Sequence, residues 1–192
     1  MRRQFYLTIC LFSGVLSLSL SSELLRDDWK QNGFATSRFE INGTNSRNNP
    51  LRKELISTFS ENELFVRFRI NYSSESIDTA AEDEGEFFVL WLDQTEGGDA
   101  ATHSGGVPNI GIHVGKDGKN RFMVRYASGG ERFGSELIGD QDFTVVGRLW
   151  KSEVSLNSGY DQFDLWIDPE PNAEFMPQAS ASSRKSIKHV NW

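Results

Sequence analysis

Apolar and polar positions alternate with period two along most of the chain, most clearly between Phe143 and Pro169. In the run from Phe143 to Trp150, Phe143, Val145, Gly147 and Leu149 share one parity. Thr144, Val146, Arg148 and Trp150 share the other. In the next run Phe163, Leu165 and Ile167 lie on one face, with Asp164, Trp166 and Asp168 opposite. Such alternation of β-branched and aromatic residues predicts two strands. The polar link through Asn157-Ser158-Gly159 predicts a hairpin with a longer loop. Pro169 lacks the N–H that a ladder needs and ends the second strand.

The same reading extends backwards. Leu64 to Tyr72 alternates Leu64, Val66, Phe68, Ile70 and Tyr72 with Phe65, Arg67, Arg69 and Asn71, as a sandwich strand does. Glu86 to Asp93 is apolar on both parities and predicts a central strand covered on both faces. Asn109 to Gly115 and Arg121 to Tyr126 flank a turn carrying Asp117-Gly118, the strongest short-hairpin signal in the chain. Ser128 to Gly134 and Gly139 to Asp142 read as turns. Phe34 to Ile41 alternates weakly, and Leu51 to Phe59 fits either a short strand or helical spacing.

Strands at short intervals without a long amphipathic helix predict an all-β, antiparallel two-sheet jelly-roll sandwich. Residues 22–170 form this domain. Residues 171–192 read as a linker-like tail, rich in Pro, Ala and Ser, with a partial last strand from Ser186 to Trp192. The expectation for that tail is a chain incomplete at Trp192, with a final strand short, loosely held or absent.

Residues 1–21 read as a signal peptide. Met1-Arg2-Arg3 supplies positive charge, Phe5 to Leu20 is apolar with interspersed serines, and Ser19 and Ser21 have the spacing of a cleavage site. The run is too short and too serine-diluted for a spanning helix, so no membrane span is expected after signal removal. Arg2-Arg3 leaves the general and twin-arginine routes both open. Cys10 is the single cysteine and lies in this segment, so the exported domain has neither thiol nor disulfide and stands on core packing. The expected location is extracellular or at the cell surface. A formal charge of −7 argues against a nucleic-acid partner.

Three segments together resemble a recurrent module: Val146-Gly147-Arg148-Leu149, Tyr160 to Pro169, and Phe87-Phe88-Val89-Leu90-Trp91-Leu92-Asp93. Asn109-Ile110-Gly111-Ile112 is similar to its glycine-bearing strand. The module resembles the LamG-like, concanavalin A-like jelly-roll domains of secreted planctomycete-type bacterial proteins, over about Asn32 to Pro169. The resemblance implies a lectin-like or glucanase-like sandwich on an exported protein. It implies no single activity, because this fold hosts binders and hydrolases alike.

Few residues suggest chemistry. Glu75, Asp78, Glu82, Asp83, Glu84 and Glu86 form an acidic run. Glycoside hydrolysis needs a carboxylate pair across the scissile bond, but this run is contiguous and broken by Gly85, as in a solvated loop. Asp93, Glu96, Asp99 and His103 offer hard ligands in a Gly-rich loop, so calcium is a hypothesis there, without an EF-hand pattern. His103, His113 and His189 are scattered, and His113 reads as an exposed or hydrogen-bonded strand residue. Neither G-x-S-x-G, G-x-G-x-x-G nor a P-loop occurs. Trp91, Trp150 and Trp166 suit sugar stacking or core packing; Trp150 and Trp166, opposite the main apolar sets, suit a second packed face or an exposed patch. Asn42-Gly43-Thr44 and Asn71-Tyr72-Ser73 match the glycosylation sequon. No catalytic, cofactor or metal residue is assigned. The expected function is non-catalytic: a secreted recognition or structural module whose partner is a glycan or cell-surface component. The alternative is a glycan-active hydrolase of the concanavalin A-like glucanase superfold.

Overall fold

The computed structural model describes residues 5–13, 39–40, 55, 57–74, 86–94, 106–126, 130–153, 159–170 and 176–191, the first two segments by backbone alone. Within them the protein is all-β. The strands are β1 (Phe5–Ser13), β2 (Phe39–Glu40), β3 (Glu63–Tyr72), β4 (Glu86–Trp91) and β5 (Asn109–Lys116). They continue as β6 (Lys119–Arg125), β7 (Arg132–Glu136), β8 (Asp142–Trp150), β9 (Tyr160–Ile167) and β10 (Ala179–Ile187). Two sheets form, a six-stranded one in the order β10-β9-β8-β3-β1-β2 and a four-stranded one in the order β4-β5-β6-β7. Every pairing is antiparallel.

The alternation read from the sequence becomes the interior. β3 turns Leu64, Val66, Phe68, Ile70 and Tyr72 inward; β8 adds Val145 and Leu149, and β9 adds Phe163 and Leu165, all at most 2% exposed. The four-stranded sheet answers with Ile110, Ile112, Phe122, Val124 and Tyr126, in the same core. Phe122 meets Phe143 edge-on at 5.1 Å across the gap, and Tyr126 meets Phe163 at 6.5 Å. A buried side chain of this size is worth about 1.5–3 kcal/mol relative to exposure, and in a chain whose only cysteine is Cys10 this packing carries the fold.

The hairpin predicted at Asp117-Gly118 is present, with both residues at positive φ (56° and 67°). That is the turn whose twist matches paired strands, and glycine removes the steric cost at the second position. Gly115, at φ 86°, marks a register shift between His113 and Lys116. The hairpin predicted between Phe143 and Pro169 is also present, pairing Val145 with Ile167 and Trp150 with Gln162.

Four expectations are corrected. β4 is an edge strand of its sheet, not a central one. Its two apolar parities have separate causes: Phe88 and Leu90 pack on the core, while Phe87 and Trp91 stack on side chains of the opposite face. The segment read as a turn through Gly134 contains β7, whose R-F-G-S-E has one large apolar residue and hence little period-two signal. Of the two roles read for His113, exposed or hydrogen-bonded, the exposed one is overturned: it is 5% exposed on β5 and packed between rings. The tail is not a linker over its whole length. β10 spans Ala179–Ile187, earlier and longer than expected, and buries Ala179, Ala181 and Ile187. Its inward residues are small, so they lie below the hydropathy that marks a core strand. Beyond it, Val190 is 0% exposed and bridges Phe59, exchanging backbone hydrogen bonds of 2.9 Å.

β1 lies within the stretch read as an export signal and pairs with β3 from Phe5↔Tyr72 to Ser13↔Leu64. Among the described residues no helix is long and apolar enough to cross a membrane.

Candidate functional site

The face of the four-stranded sheet that turns away from the core gathers aromatic, cationic and amide side chains. Strand parity places them there. Register aligns Phe87, His113 and Arg121 in one row across β4, β5 and β6. A second row holds Trp91, Asn109 and Arg125. Between them run Val89, Gly111, Met123 and Phe133. Gly111 is needed where it stands: a Cβ there would come within 2.1 Å of the Phe88 carbonyl oxygen, so only glycine allows β4 so close.

Arg125 organises the second row. It is 1% exposed, and its Nε donates to Asn109 Oδ1 at 2.9 Å. Its Nη1 donates to Glu131 Oε1 at 3.1 Å, in an ion pair buried on both sides. Its guanidinium carbon lies 4.5 Å from the Phe87 ring centroid and 5.6 Å from that of Trp91. Burial lowers its pKa, and the hydrogen bond and charge of Glu131 oppose that shift. A buried cation so paired is a positioning element: it fixes two rings on the outer face.

The first row is more open. Phe87 is 37% exposed, one of few large apolar side chains in the described structure that solvent reaches. His113 presents its ring edge-on to Phe87 at 4.4 Å and to Phe133 at 5.8 Å. Arg121 stacks on Phe133, 4.1 Å from its centroid, and pairs with Asp117 at 3.1 Å. The face therefore offers flat apolar rings beside held N–H donors, a combination suited to planar or polyhydroxylated ligands.

On the outward face of the six-stranded sheet, the described polar side chains around Trp150 are tied to one another. Trp150 Nε1 donates to Asp164 Oδ2 at 2.7 Å, and Ser180 Oγ donates to Asp164 Oδ1 at 2.6 Å. Arg148 binds Glu63 through Nε and Nη2, both at 2.8 Å, and stacks 4.9 Å from the Trp150 centroid. Trp166 is 6% exposed. Of the two roles read for Trp150 and Trp166, the packed face holds and the exposed patch does not. Asp161 accepts from the Ser152 backbone and hydroxyl at 2.8 and 2.7 Å. These carboxylates serve as strand ties, with their oxygens already engaged.

The acidic run from Glu75 to Glu84 lies outside the described residues, as do Glu96, Asp99 and His103, and Glu86 is described by backbone alone. Asp93 accepts from the Gln94 N–H at 2.6 Å, and its carbonyl accepts from Asn191 N–H at 3.0 Å. Among the described residues no group of three or more His, Cys, Asp or Glu side chains could hold a metal ion. Asp140 is exposed, and hydrogen bonds from the Ser74 hydroxyl and N–H lower its pKa. Of the residues singled out from sequence, Trp91 and His113 belong to the aromatic face. Asn109, Arg121, Arg125, Glu131 and Phe133 were missed. The signal lies in β6, where Arg121, Met123 and Arg125 alternate with the core residues Phe122 and Val124 and so share the outer face.

No protein-family model, curated protein or solved structure matches the chain.

Proposed function

We propose that this chain is a secreted, non-catalytic recognition module that binds carbohydrate on the outer face of its four-stranded sheet. The observation that carries the reading is the held pair of rings: Phe87 and Trp91 lie against Arg125, which Asn109 and Glu131 pin in place. Pyranose rings stack on aromatic faces, and fixed rings lose little entropy on binding. Export follows from the basic and apolar N-terminal segment, and the LamG-like resemblance supports a binding role for a sandwich of this class.

A glycan array on the purified domain, read beside a reducing-sugar assay on the same panel, tests this. Saturable binding without turnover, weakened at least tenfold by Phe87→Ala, supports the reading. Turnover would replace it with the glucanase-like alternative. Silence in both assays would leave a structural surface module.

A further inference from the structure

We infer that the ligand of this face is an acidic oligosaccharide, a uronate, whose carboxylate is held by Arg121 while a neighbouring ring rests on Phe87; this rests on the carbohydrate reading above. The two arginines of β6 differ in what remains available. Arg125 is spent: it is buried, with Nε on Asn109 and Nη1 on Glu131. Arg121 is not. Its side chain is 23% exposed, and its partner is Asp117, whose side chain is 73% exposed. An ion pair so open to water contributes little and is readily exchanged. The guanidinium is nevertheless held, because its central carbon sits over the Phe133 ring, 4.1 Å from the centroid. Its Nε is buried, so the Nη2 now on Asp117 is the donor a ligand can take over. A ligand carboxylate can therefore displace Asp117 and form charge-assisted bonds without reorganising the side chain.

Spacing supports one ligand reaching both points. Phe87 and Arg121 are in register on strands two apart, with His113 between them. Neighbouring strands lie about 4.8 Å apart, so ring platform and cation stand roughly 10 Å apart on one line. Buried His113, 5% exposed, serves as a spacer, packed against Phe87 on one side and Phe133 on the other. The chain carries a net charge of −7, so general attraction to polyanions is not the source of such binding. Recognition is local, one carboxylate at one guanidinium.

The test compares oligogalacturonate, oligomannuronate and oligoguluronate with their methyl esters, by calorimetry on the wild-type protein and two variants. The proposal expects binding of at least one acid, lost on esterification and weakened about tenfold or more by Arg121→Gln. Asp117→Asn lies in an exposed turn and keeps the fold. It removes the competing carboxylate and is expected to tighten acid binding roughly threefold. Thermal melting of both variants separates loss of binding from loss of fold. Equal affinity for acid and ester, or no tightening in Asp117→Asn, overturns the uronate assignment while leaving carbohydrate binding intact. Binding of neutral glycans alone does the same. Absence of binding to every glycan overturns both.

Discussion

A Cβ built on Gly147 would stand 2.7 Å from Ile110 Cδ1, closer than the packed sheets allow. The same atom would meet Phe163 and Val66, each at 2.9 Å, so three core side chains converge on the missing methyl. Gly147→Ala is expected to destabilise by about 1–3 kcal/mol through overpacking. Urea unfolding should show a lower midpoint with an unchanged slope. An unchanged midpoint would mean that Ile110 moves aside without cost.

The Arg125–Glu131 pair is buried, so its members should be unequal to their sum. Glu131→Ala leaves a buried cation and is expected to cost about 3–5 kcal/mol. Arg125→Met together with Glu131→Ala removes both charges and should cost less than the two single changes added. Near-ultraviolet circular dichroism should lose the Trp91 contribution in each single variant. Additive losses in a double-mutant cycle would show that the two side chains do not interact.

The outline of the fold was legible because period two survives wherever one face meets the core. β3, β5, β6, β8 and β9 all carry β-branched or aromatic residues at alternate positions, and all were read as strands. β7 and β10 were not, since their inward positions are mostly small residues such as Gly134, Ala179 and Ala181, and Phe133 of β7 faces outward. Such strands owe their state to neighbours, which a local pattern does not record. The candidate site was half legible. Trp91 announces itself by type, but Arg125 and Glu131 are six residues apart in the chain, and only the fold shows that they meet, both buried. Likewise β4 has the pattern of a central strand because both of its faces are packed, Phe88 and Leu90 on the core and Phe87 against Arg125, although it lies at an edge.

Two phenols give the protein an alkaline limit. Tyr126 and Tyr160 are at most 2% exposed, and their hydroxyls have no hydrogen-bond partner among the described residues. Burial raises both pKa values, helped at Tyr126 by the charge of Asp161 and at Tyr160 by that of Glu61. The folded state therefore favours the neutral phenol. The stability this confers is complete below the unfolded value of about 10 and is lost as pH rises towards the folded one. Above about pH 10 stability should fall by up to about 1.4 kcal/mol per pH unit for each phenol. Absorbance at 295 nm should show both ionising together with unfolding. Tyr126→Phe should be neutral or stabilising at pH 7 and should extend the stable range upwards. Smooth ionisation of all tyrosines near pH 10 in a folded protein would contradict this.

The last expectation concerns β10, which the sequence presents as little more than a polar tail. β10 closes one edge of the six-stranded sheet by pairing Ala179 with Leu165, Ala181 with Phe163 and Ile187 with Tyr160. It also leaves a register shift between Ser182 and Ile187. A bulge, together with exposed Ser180, Ser182 and Arg184, makes it a poor template for a further strand. β9 has none of these guards: Leu165, Trp166 and Ile167 are all buried along it. The segment after β10 is anchored too. Leu55 N–H donates to the Asn191 carbonyl at 2.8 Å, and Val190 is fully buried against Phe59. A chain ending at Glu170 would lose these contacts and expose the β9 backbone as a long apolar edge. That variant is expected to associate or aggregate, and to lose its cooperative melting transition. The milder Val190→Ala should remain monomeric and cost about 2 kcal/mol, from lost burial and the cavity left behind. Size-exclusion chromatography and calorimetry on the two variants distinguish the effects. A truncated chain that stays monomeric and melts cooperatively would show that β9 tolerates an open edge and that β10 adds little to the fold.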